Sequence, residues 1–436
     1  MADPCNIKDL ITIWIGEAHK RVNDSIFCQR REAGPSDQEV STRTWSELPY
    51  DMLELFIRSI DSPKDYLKLI SACKKWRTFA REIMFSPRYN LSLLHPLPRK
   101  YPFPMLLQPH AQDSELCYFY SIIKGKVHKL HVPELSNKWI IGSWRGWLAT
   151  INYHDVNQIR LLNPITKAQI TLPPLSTLPE PITSSLNVQK IVVVSPNKVD
   201  VQSNCVIVAL ITEAGFLHFC RIGDDRWEKI YPSIHCIMDV IEFKGLLHAV
   251  DDSGNLFVVE TSPFTKLTPV AVNLNCHGDR LYLVESSGDL LLVSRNLEYA
   301  ENTQYTRTAD FVVYRLVESQ TKYRKPYYCY RGVPLCYPEE PLCKIWKQIS
   351  SLHDQMLFVG RNRTLCLDSK LYLGCKGDCI YFADDSPNDA WRAARRFADP
   401  HDNGVYHIND YNIEYFMEGV SDRHSMPAIW FSPNPW

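Results

Sequence analysis

The side chains able to do chemistry fall in a few places, and in each the spacing decides what they can do. Cys73 stands in "ISACKKWRTFA", three residues before Trp76 and among Lys74, Lys75, Arg77 and Arg81. A positive field of that kind favours a thiolate nucleophile, but such a nucleophile needs a positioned base. No histidine lies between Asp24 and Leu94, so the base would have to come from a distant part of the fold. The competing reading is packing. Cys73, Trp76 and Ala80 fall at i, i+3 and i+7, one face of a helix, and free cysteine is among the most often buried side chains. The spacing favours packing.

Cys375 and Cys379, with His401 or His407, offer sulfur and imidazole to a zinc ion. Structural zinc sites use tighter pairs and a second matching pair, and Cys329, Cys336 and Cys343, at seven-residue spacing, do not supply one. "GSWRG" at Gly142 is not a G-x-S-x-G nucleophile elbow, because Ser143 is in the second place. Neither a P-loop nor a dinucleotide fingerprint is present. His128 and His131 in "HKLH" read as a strand pair. The acidic runs "DDSGN" and "ADDSPND" resemble calcium loops only in composition, and hairpin turns account for them. The expectation is a non-catalytic chain with no cofactor and no metal.

The totals narrow the partners. The chain has 436 residues, 45% hydrophobic and 22% charged, with a formal net charge of -1. That composition supports a large core and excludes disorder as the main state. It provides no global basic field for a phosphate backbone, so no nucleic-acid partner is expected. Apolar runs such as "CVIVALI" and "LLLV" are strand-sized, so no membrane span is expected. The N-terminus carries Asp3 and Asp9 before a short apolar run and no small-residue cleavage site after it; it reads as a short amphipathic helix. The fourteen cysteines are then expected as reduced thiols in the cytoplasm and/or nucleus.

Four regions differ in texture: an extension over 1–44 ending in a polar tether, a helical module over 45–85, a Pro-rich linker over 86–104 and a β-rich region over 105–436. In the helical module Ser46 can cap a helix with Pro49 in its first turn, and Met52, Leu53, Phe56, Ile57 and Ile60 recur at helical steps. A second helix starts at "SPKD", with Ser62 as cap, Pro63 at the first helical position and Asp65 in the first turn. About forty residues cannot bury enough surface to be comfortably stable alone. Pro87, Pro96, Pro98, Pro102 and Pro104 read as a stiff spacer that separates the helices from the β-rich region. The apolar surface of the helices is therefore expected to meet a partner protein.

The β-rich region repeats itself. "GLLHAVDDSGNLFVV", 245–259, aligns without gaps on "DRLYLVESSGDLLLV", 279–293, each an apolar strand, a Ser-Gly turn and a second apolar strand. "RWEKI" and "IWKQI" share a Trp-x-x-Ile opening, and "GSWRGWLATINYHDVNQIRLLNPITKAQITLPPL" forms a further unit. A propeller blade takes roughly forty to fifty residues, which predicts six or seven blades. Tryptophans are expected between blades, and "AIWFSPNPW" is expected to close the ring beside an early strand.

With these residues in view, "WSELPYDMLELFIRSIDSPKDYLKLISACKKWRTFA" resembles an F-box. Leu48 and Pro49 match its opening pair, Leu53, Leu55 and Ile57 its aliphatic run, and Cys73, Lys74, Trp76 and Arg77 its close. Ala72 and Met52 depart from the commoner valine and leucine. The β-rich stretches "GSWRGWL", "LLNPIT", "LPPL" and "DVIEFKGLLHAVDDSGNL" are similar to the large plant F-box family that contains the KIB-like proteins. The resemblance implies a multidomain α+β chain: a small three-helix F-box followed by a mainly-β propeller. It also implies docking onto a Skp-type adaptor of a cullin-RING ubiquitin ligase through Leu48, Pro49, Leu53, Leu55, Ile57, Ile70, Cys73 and Trp76, and a protein substrate on the propeller. The alternatives are a non-degradative scaffold and a propeller hydrolase with a helical cap. Substrate-binding residues are not assigned by any motif.

Overall fold

The computed structural model describes Lys75, Trp76 and Thr78 and, with breaks, residues 104–432. Strands dominate because the sequence supplies short apolar runs punctuated by left-handed turns. Ser287 and Gly288, at φ of 52° and 86°, make the two-residue turn of one hairpin, the backbone conformation that a Ser-Gly pair permits. Several strands are apolar on both faces. Leu247–Asp251 and Leu290–Arg295 are buried throughout, which is expected when sheets stack face to face on two sides.

The sheets follow one another along the chain. The first contains β1 (Met105–Pro109), β2 (Leu116–Ser121) and β3 (Lys126–His131). The second is β4 (Lys138–Trp144), β5 (Trp147–Asn152), β6 (Ile159–Leu162) and β7 (Gln169–Thr171). The third is β8 (Val188–Val194), β9 (Ile207–Thr212), β10 (Leu217–Arg221) and β11 (Glu228–Lys229). The fourth is β12 (Ile237–Phe243), β13 (Leu246–Asp251), β14 (Leu256–Glu260) and β15 (Lys266–Val272). The fifth is β16 (Arg280–Ser286), β17 (Asp289–Tyr299) and β18 (Thr306–Tyr323), a small ribbon of β19 (Tyr327–Tyr328) and β20 (Pro334–Cys336), then β21 (Leu342–Ile349). A short parallel pairing of β15 with β21 joins the outer edges of the fourth and fifth sheets.

The sixth sheet runs β23-β22-β24-β25-β26, from β22 (Gln355–Val359), β23 (Leu365–Asp368), β24 (Cys379–Phe382), β25 (Gly404–His407) and β26 (Asn412–Tyr415). Its inner strand is β23, which faces β16: Thr364 Oγ1 donates to the Leu283 carbonyl and Cys366 Sγ lies 3.3 Å from Ser286 Oγ. Finally β27 (Ile429–Phe431) pairs antiparallel with β1, so the end of the chain supplies the inner strand of the first sheet. "AIWF" does close the ring.

Packing shows that these sheets are blades. Six apolar clusters each bridge two consecutive sheets, from the first and second (Leu107, Phe431 with Ile140, Leu148) around to the sixth and first (Phe358, Tyr381 with Leu106, Trp430). Among the described residues this is a closed ring of six blades. Tryptophans fasten neighbours across it: the indole N–H groups of Trp227, Trp346 and Trp430 donate to the carbonyls of Pro173, Gly254 and Val359 on adjacent blades, at 2.8, 2.8 and 2.9 Å. Gly142 permits the closest approach of β4 to β8, since a Cβ there would stand 2.3 Å from the Ile191 carbonyl oxygen.

One expectation changes. The multidomain α+β class with a three-helix F-box is corrected: the described residues are mainly strand, and among them no helical module accompanies the blades. Within 45–85 only Lys75, Trp76 and Thr78 are described, and these three are helical. The helical spacing there is local information, whereas most of the described chain must satisfy its backbone between strands. The two copies of the gap-free hairpin repeat take different positions in their blades. One copy is β13–β14, second and third in its blade, and the other is β16–β17, first and second. A hairpin with an apolar run on each side fits either place.

Candidate interaction site

Of the eight residues expected to dock an adaptor, Leu48, Pro49, Leu53, Leu55, Ile57, Ile70 and Cys73 lie outside the described residues. Trp76 is half-buried. The extension 1–44 and nearly all of 86–104 also lie outside them.

On the propeller, a cluster of charged side chains surrounds one end of the axis, where the inner strands begin. In β4, β8 and β12 the pairing slips at the same place, near the start of the strand: between Ile140 and Gly142, Val188 and Lys190, and Ile237 and Asp239. Such bulges re-aim side chains at the rims of barrels and rings. Here the bulged residues Gln189 and Met238, together with Lys190, Arg280, Leu281, Tyr282, Gly360, Arg361 and Asp385, line a cavity of about 20 Å³. That is room for about one water, far below a small-molecule pocket.

Two ion-pair systems hold this end. Lys190 Nζ is 2.6 Å from Asp239 Oδ1, and both side chains are buried. Asp239 is satisfied further by the backbone N–H groups of Val240, at 2.8 Å, and Leu283, at 3.0 Å, so one carboxylate ties three consecutive inner strands. The second system is centred on Arg295, whose side chain is 1% exposed. Its Nε donates to Thr308 Oγ1 at 2.9 Å, Nη2 to Asp402 Oδ2 at 2.8 Å, and Nη1 to Asp385 Oδ1 and the Ala383 carbonyl, both at 3.1 Å. The guanidinium also lies 4.9 Å from the Phe382 ring centroid. Burial opposes its charge, but Tyr282, Asp385 and Asp402 outweigh that and push its pKa above the ordinary value. Burial raises Asp402, helped by Asp384 and opposed by Arg295, and burial with the Asp385 charge raises Tyr282. Arg295 is thus a permanent cation locked between the fifth and sixth blades.

The thiols behave as packing. Burial pushes Cys117 up to about 12 and Cys366 and Cys379 up to about 11, away from thiolate chemistry. Cys379 Sγ is 3.2 Å from His407 Nδ1, and His407 Nε2 is 3.2 Å from Glu414, a contact of the Cys-His-acid kind with its sulfur buried in the core. Cys375 packs against the same cluster, His401 lies outside the described residues, and no group of three metal-ligating residues occurs among the described ones. Ser143 donates to the Trp430 carbonyl, at 2.5 Å, which joins the second blade to the closing strand.

Sequence reasoning missed Lys190, Asp239, Arg280, Arg295, Arg361, Asp385 and Asp402. Three carried a signal: a charge set inside an apolar run of strand, as in "VQKIVVV", "IMDVIEF" and "LLLVSRNLEY". A buried charge demands a partner, but the partners lie far away in sequence, and only the ring brings them together.

The KIB1-4 beta-propeller family model matches residues 119–407. F-box protein SKIP23 of Arabidopsis thaliana is 26% identical, over 90% of this chain and 95% of that protein. F-box protein At2g17036 of the same plant is 23% identical over 90% of this chain and 94% of its own length. F-box protein At2g26160, also from that plant, is 23% identical over 78% of this chain and 96% of its own length.

Proposed function

The chain belongs to the KIB1-4 β-propeller family, and from that premise we propose that it is the substrate receptor of an SCF-type cullin-RING ubiquitin ligase. In this reading the segment 45–85 docks a Skp-type adaptor and the propeller binds a protein to be ubiquitinated. The chain makes and breaks no bond. Its contribution is effective concentration, holding a substrate near a ubiquitin-conjugating enzyme recruited elsewhere in the assembly.

One observation supports this most. The alignments to SKIP23 and At2g17036 cover 90% of the chain, and the tenth left out is no longer than the extension 1–44. They therefore take in the segment where Leu48, Pro49, Leu53, Leu55, Ile57, Cys73 and Trp76 match the F-box pattern. The raised thiols and the water-sized axial cavity agree with a binding role rather than a catalytic one.

The test is capture of the chain by a purified Skp-type adaptor. Trp76 is the aromatic anchor of the segment, and Trp76→Ala should weaken capture by about 2 kcal/mol or more. Leu53→Asp should abolish it, with the thermal transition of the propeller unchanged in both variants. Undiminished capture by both would remove the assignment. If capture is lost and a co-purified protein accumulates ubiquitin chains when the proteasome is inhibited, the receptor reading stands over that of a non-degradative scaffold.

A further inference from the structure

The charge lock between the fifth and sixth blades contains one carboxylate oxygen that no donor satisfies. Asp402 Oδ2 accepts three hydrogen bonds, from Arg295 Nη2 at 2.8 Å, the Thr308 N–H at 2.8 Å and the Thr308 hydroxyl at 2.7 Å. Asp402 Oδ1 is buried as well and accepts none among the described residues. An ionised carboxylate spreads its charge over both oxygens, so leaving one of them desolvated and without a donor penalises the anion. A proton on that oxygen removes the penalty.

The neighbouring charges favour the proton too. Just past β24, Asp384 is itself buried and accepts the Asp402 backbone N–H at 3.3 Å, while its own N–H donates to the Asn403 side chain at 2.9 Å. Asp385 is drawn away from Asp402, toward Arg295 Nη1 of β17 and the Tyr282 hydroxyl and Arg280 of β16. From β26, Tyr415 donates to the Thr308 carbonyl at 3.5 Å, with the Arg307 guanidinium of β18 5.3 Å from its ring centroid. Arg295 is thus shared between two aspartates, and a third carboxylate stands beside Asp402. Burial, reinforced by Asp384 and opposed by Arg295, raises the Asp402 carboxyl. These bonds also pin residues 383–385 to residues 402–403, the two described ends of the connection from β24 to β25, and Arg295 ties both ends to the fifth blade through the Ala383 carbonyl and Asp402. A change at Asp402 is therefore felt along the seam.

We propose that Asp402 is a proton-operated latch: with a proton on Oδ1 it closes the seam between the fifth and sixth blades, and loss of that proton sets a second negative charge beside Asp384 and loosens the seam. Because the folded-state pKa lies above the unfolded value, the stabilisation is complete below about pH 3.9 and is lost as pH rises through the folded value. The latch belongs to the propeller and does not depend on adaptor docking.

Chemical denaturation of the full-length chain from about pH 4 to about pH 8 tests it, wild type against Asp402→Asn. Asparagine keeps an acceptor for Arg295 and Thr308 and places an uncharged amide where the proton would sit. As pH rises, the wild type should lose stability relative to the variant, by up to about tenfold in the folded-to-unfolded ratio for each pH unit between the unfolded and folded pKa, and level off beyond. Asp384→Asn should shrink that loss, because the like charge beside Asp402 is gone. Hydrogen exchange locates the effect: after correction for the intrinsic pH dependence, β18 and β25 amides of the wild type should open more often at high pH, and those of β1 and β27 at the other seam should not. An Asp402→Asn chain that instead loses stability relative to wild type as pH rises, as replacement of an ionised salt-bridge partner would cause, would overturn the proposal. A pH-independent difference, or faster exchange spread evenly over both seams, would do the same. Should Asp402→Asn fail to fold, hydrogen exchange on the wild type and Asp384→Asn still decides.

Discussion

The sixth blade is held on its two faces by different physics. Toward the first blade the seam is aromatic: Phe358 stacks on Tyr381 at 4.8 Å and meets the edge of Trp430 at 5.2 Å, and the indole N–H has its single acceptor in the Val359 carbonyl. Toward the fifth blade, apolar packing of Phe311, Phe382 and Tyr406 is interrupted by the Arg295 guanidinium with its two aspartates, Tyr282 and Thr308. The first seam gains free energy in proportion to buried area. The second holds a desolvated charge whose burial is tolerable only while every partner is present. The two should therefore fail differently. An aromatic seam degrades by degrees as atoms are removed, whereas a charge-locked one fails abruptly when a single partner goes.

The largest effect should come from breaking the aromatic seam outright. Deleting Ala428–Trp436 removes β27 and with it both the pairing to β1 and the Trp430 contacts, and should collapse the cooperative thermal transition. Retention of that transition would show that the ring does not depend on closure by the chain end. Next, Arg295→Met should cost about 3–5 kcal/mol in chemical denaturation, because Asp385 and Asp402 are left buried without their cation. Removing the carboxylates as well, by Asp385→Asn and Asp402→Asn, should restore part of that loss. Independent, additive losses would show that the three residues do not act as a unit.

Smaller still is Trp346→Phe, which keeps most of the ring but deletes the donor to Gly254. A loss of about 1–2 kcal/mol is expected, in the range for an orphaned carbonyl plus lost area. The smallest concerns Asp378, at the base of the charge-locked seam. Burial raises its carboxyl, but the Leu352 N–H, the Ser351 hydroxyl and the Asp354 N–H outweigh that and hold it below its usual value. Since the folded-state pKa is depressed, the stabilisation is present above the unfolded value of about 3.9 and is lost as pH falls through the folded one. A stability profile measured from pH 6 down to pH 2 should flatten slightly in Asp378→Asn. An unchanged profile would separate this carboxylate from the acid sensitivity of the seam.

Much of the propeller was legible beforehand because its signals are local. "SSGD" and "DDSGN" announce turns, and the structure shows both, the second with the Asp251 carboxylate accepting from the Ser253 and Asn255 backbone. The Trp-x-x-Ile openings pointed to blade contacts, where Trp227 and Trp346 are found. The adaptor-binding set was read from pattern alone and, except for Trp76, lies outside the described residues. The three-helix reading gave way to a mainly-β description of the chain. The axial charges were illegible as a site: Lys190 and Asp239 sit on different blades, as do Arg295 and Asp402, and nothing local in either strand names its partner.

Sequence by itself determined the elements of this protein: where strands run, where they turn and which end closes the ring. These follow from short-range chemistry, the φ freedom of Ser-Gly turns and the apolar runs that two-sided burial demands. Only the tertiary structure decided that there are six blades among the described residues, that a hairpin of one sequence type occupies two different radial positions, and that four cations (Lys190, Arg280, Arg295, Arg361) and four aspartates (Asp239, Asp384, Asp385, Asp402) meet at one end of the axis. Those outcomes depend on the distance between charges through space. Coulomb energy and desolvation are set by that distance and by burial, and neither can be counted along the chain.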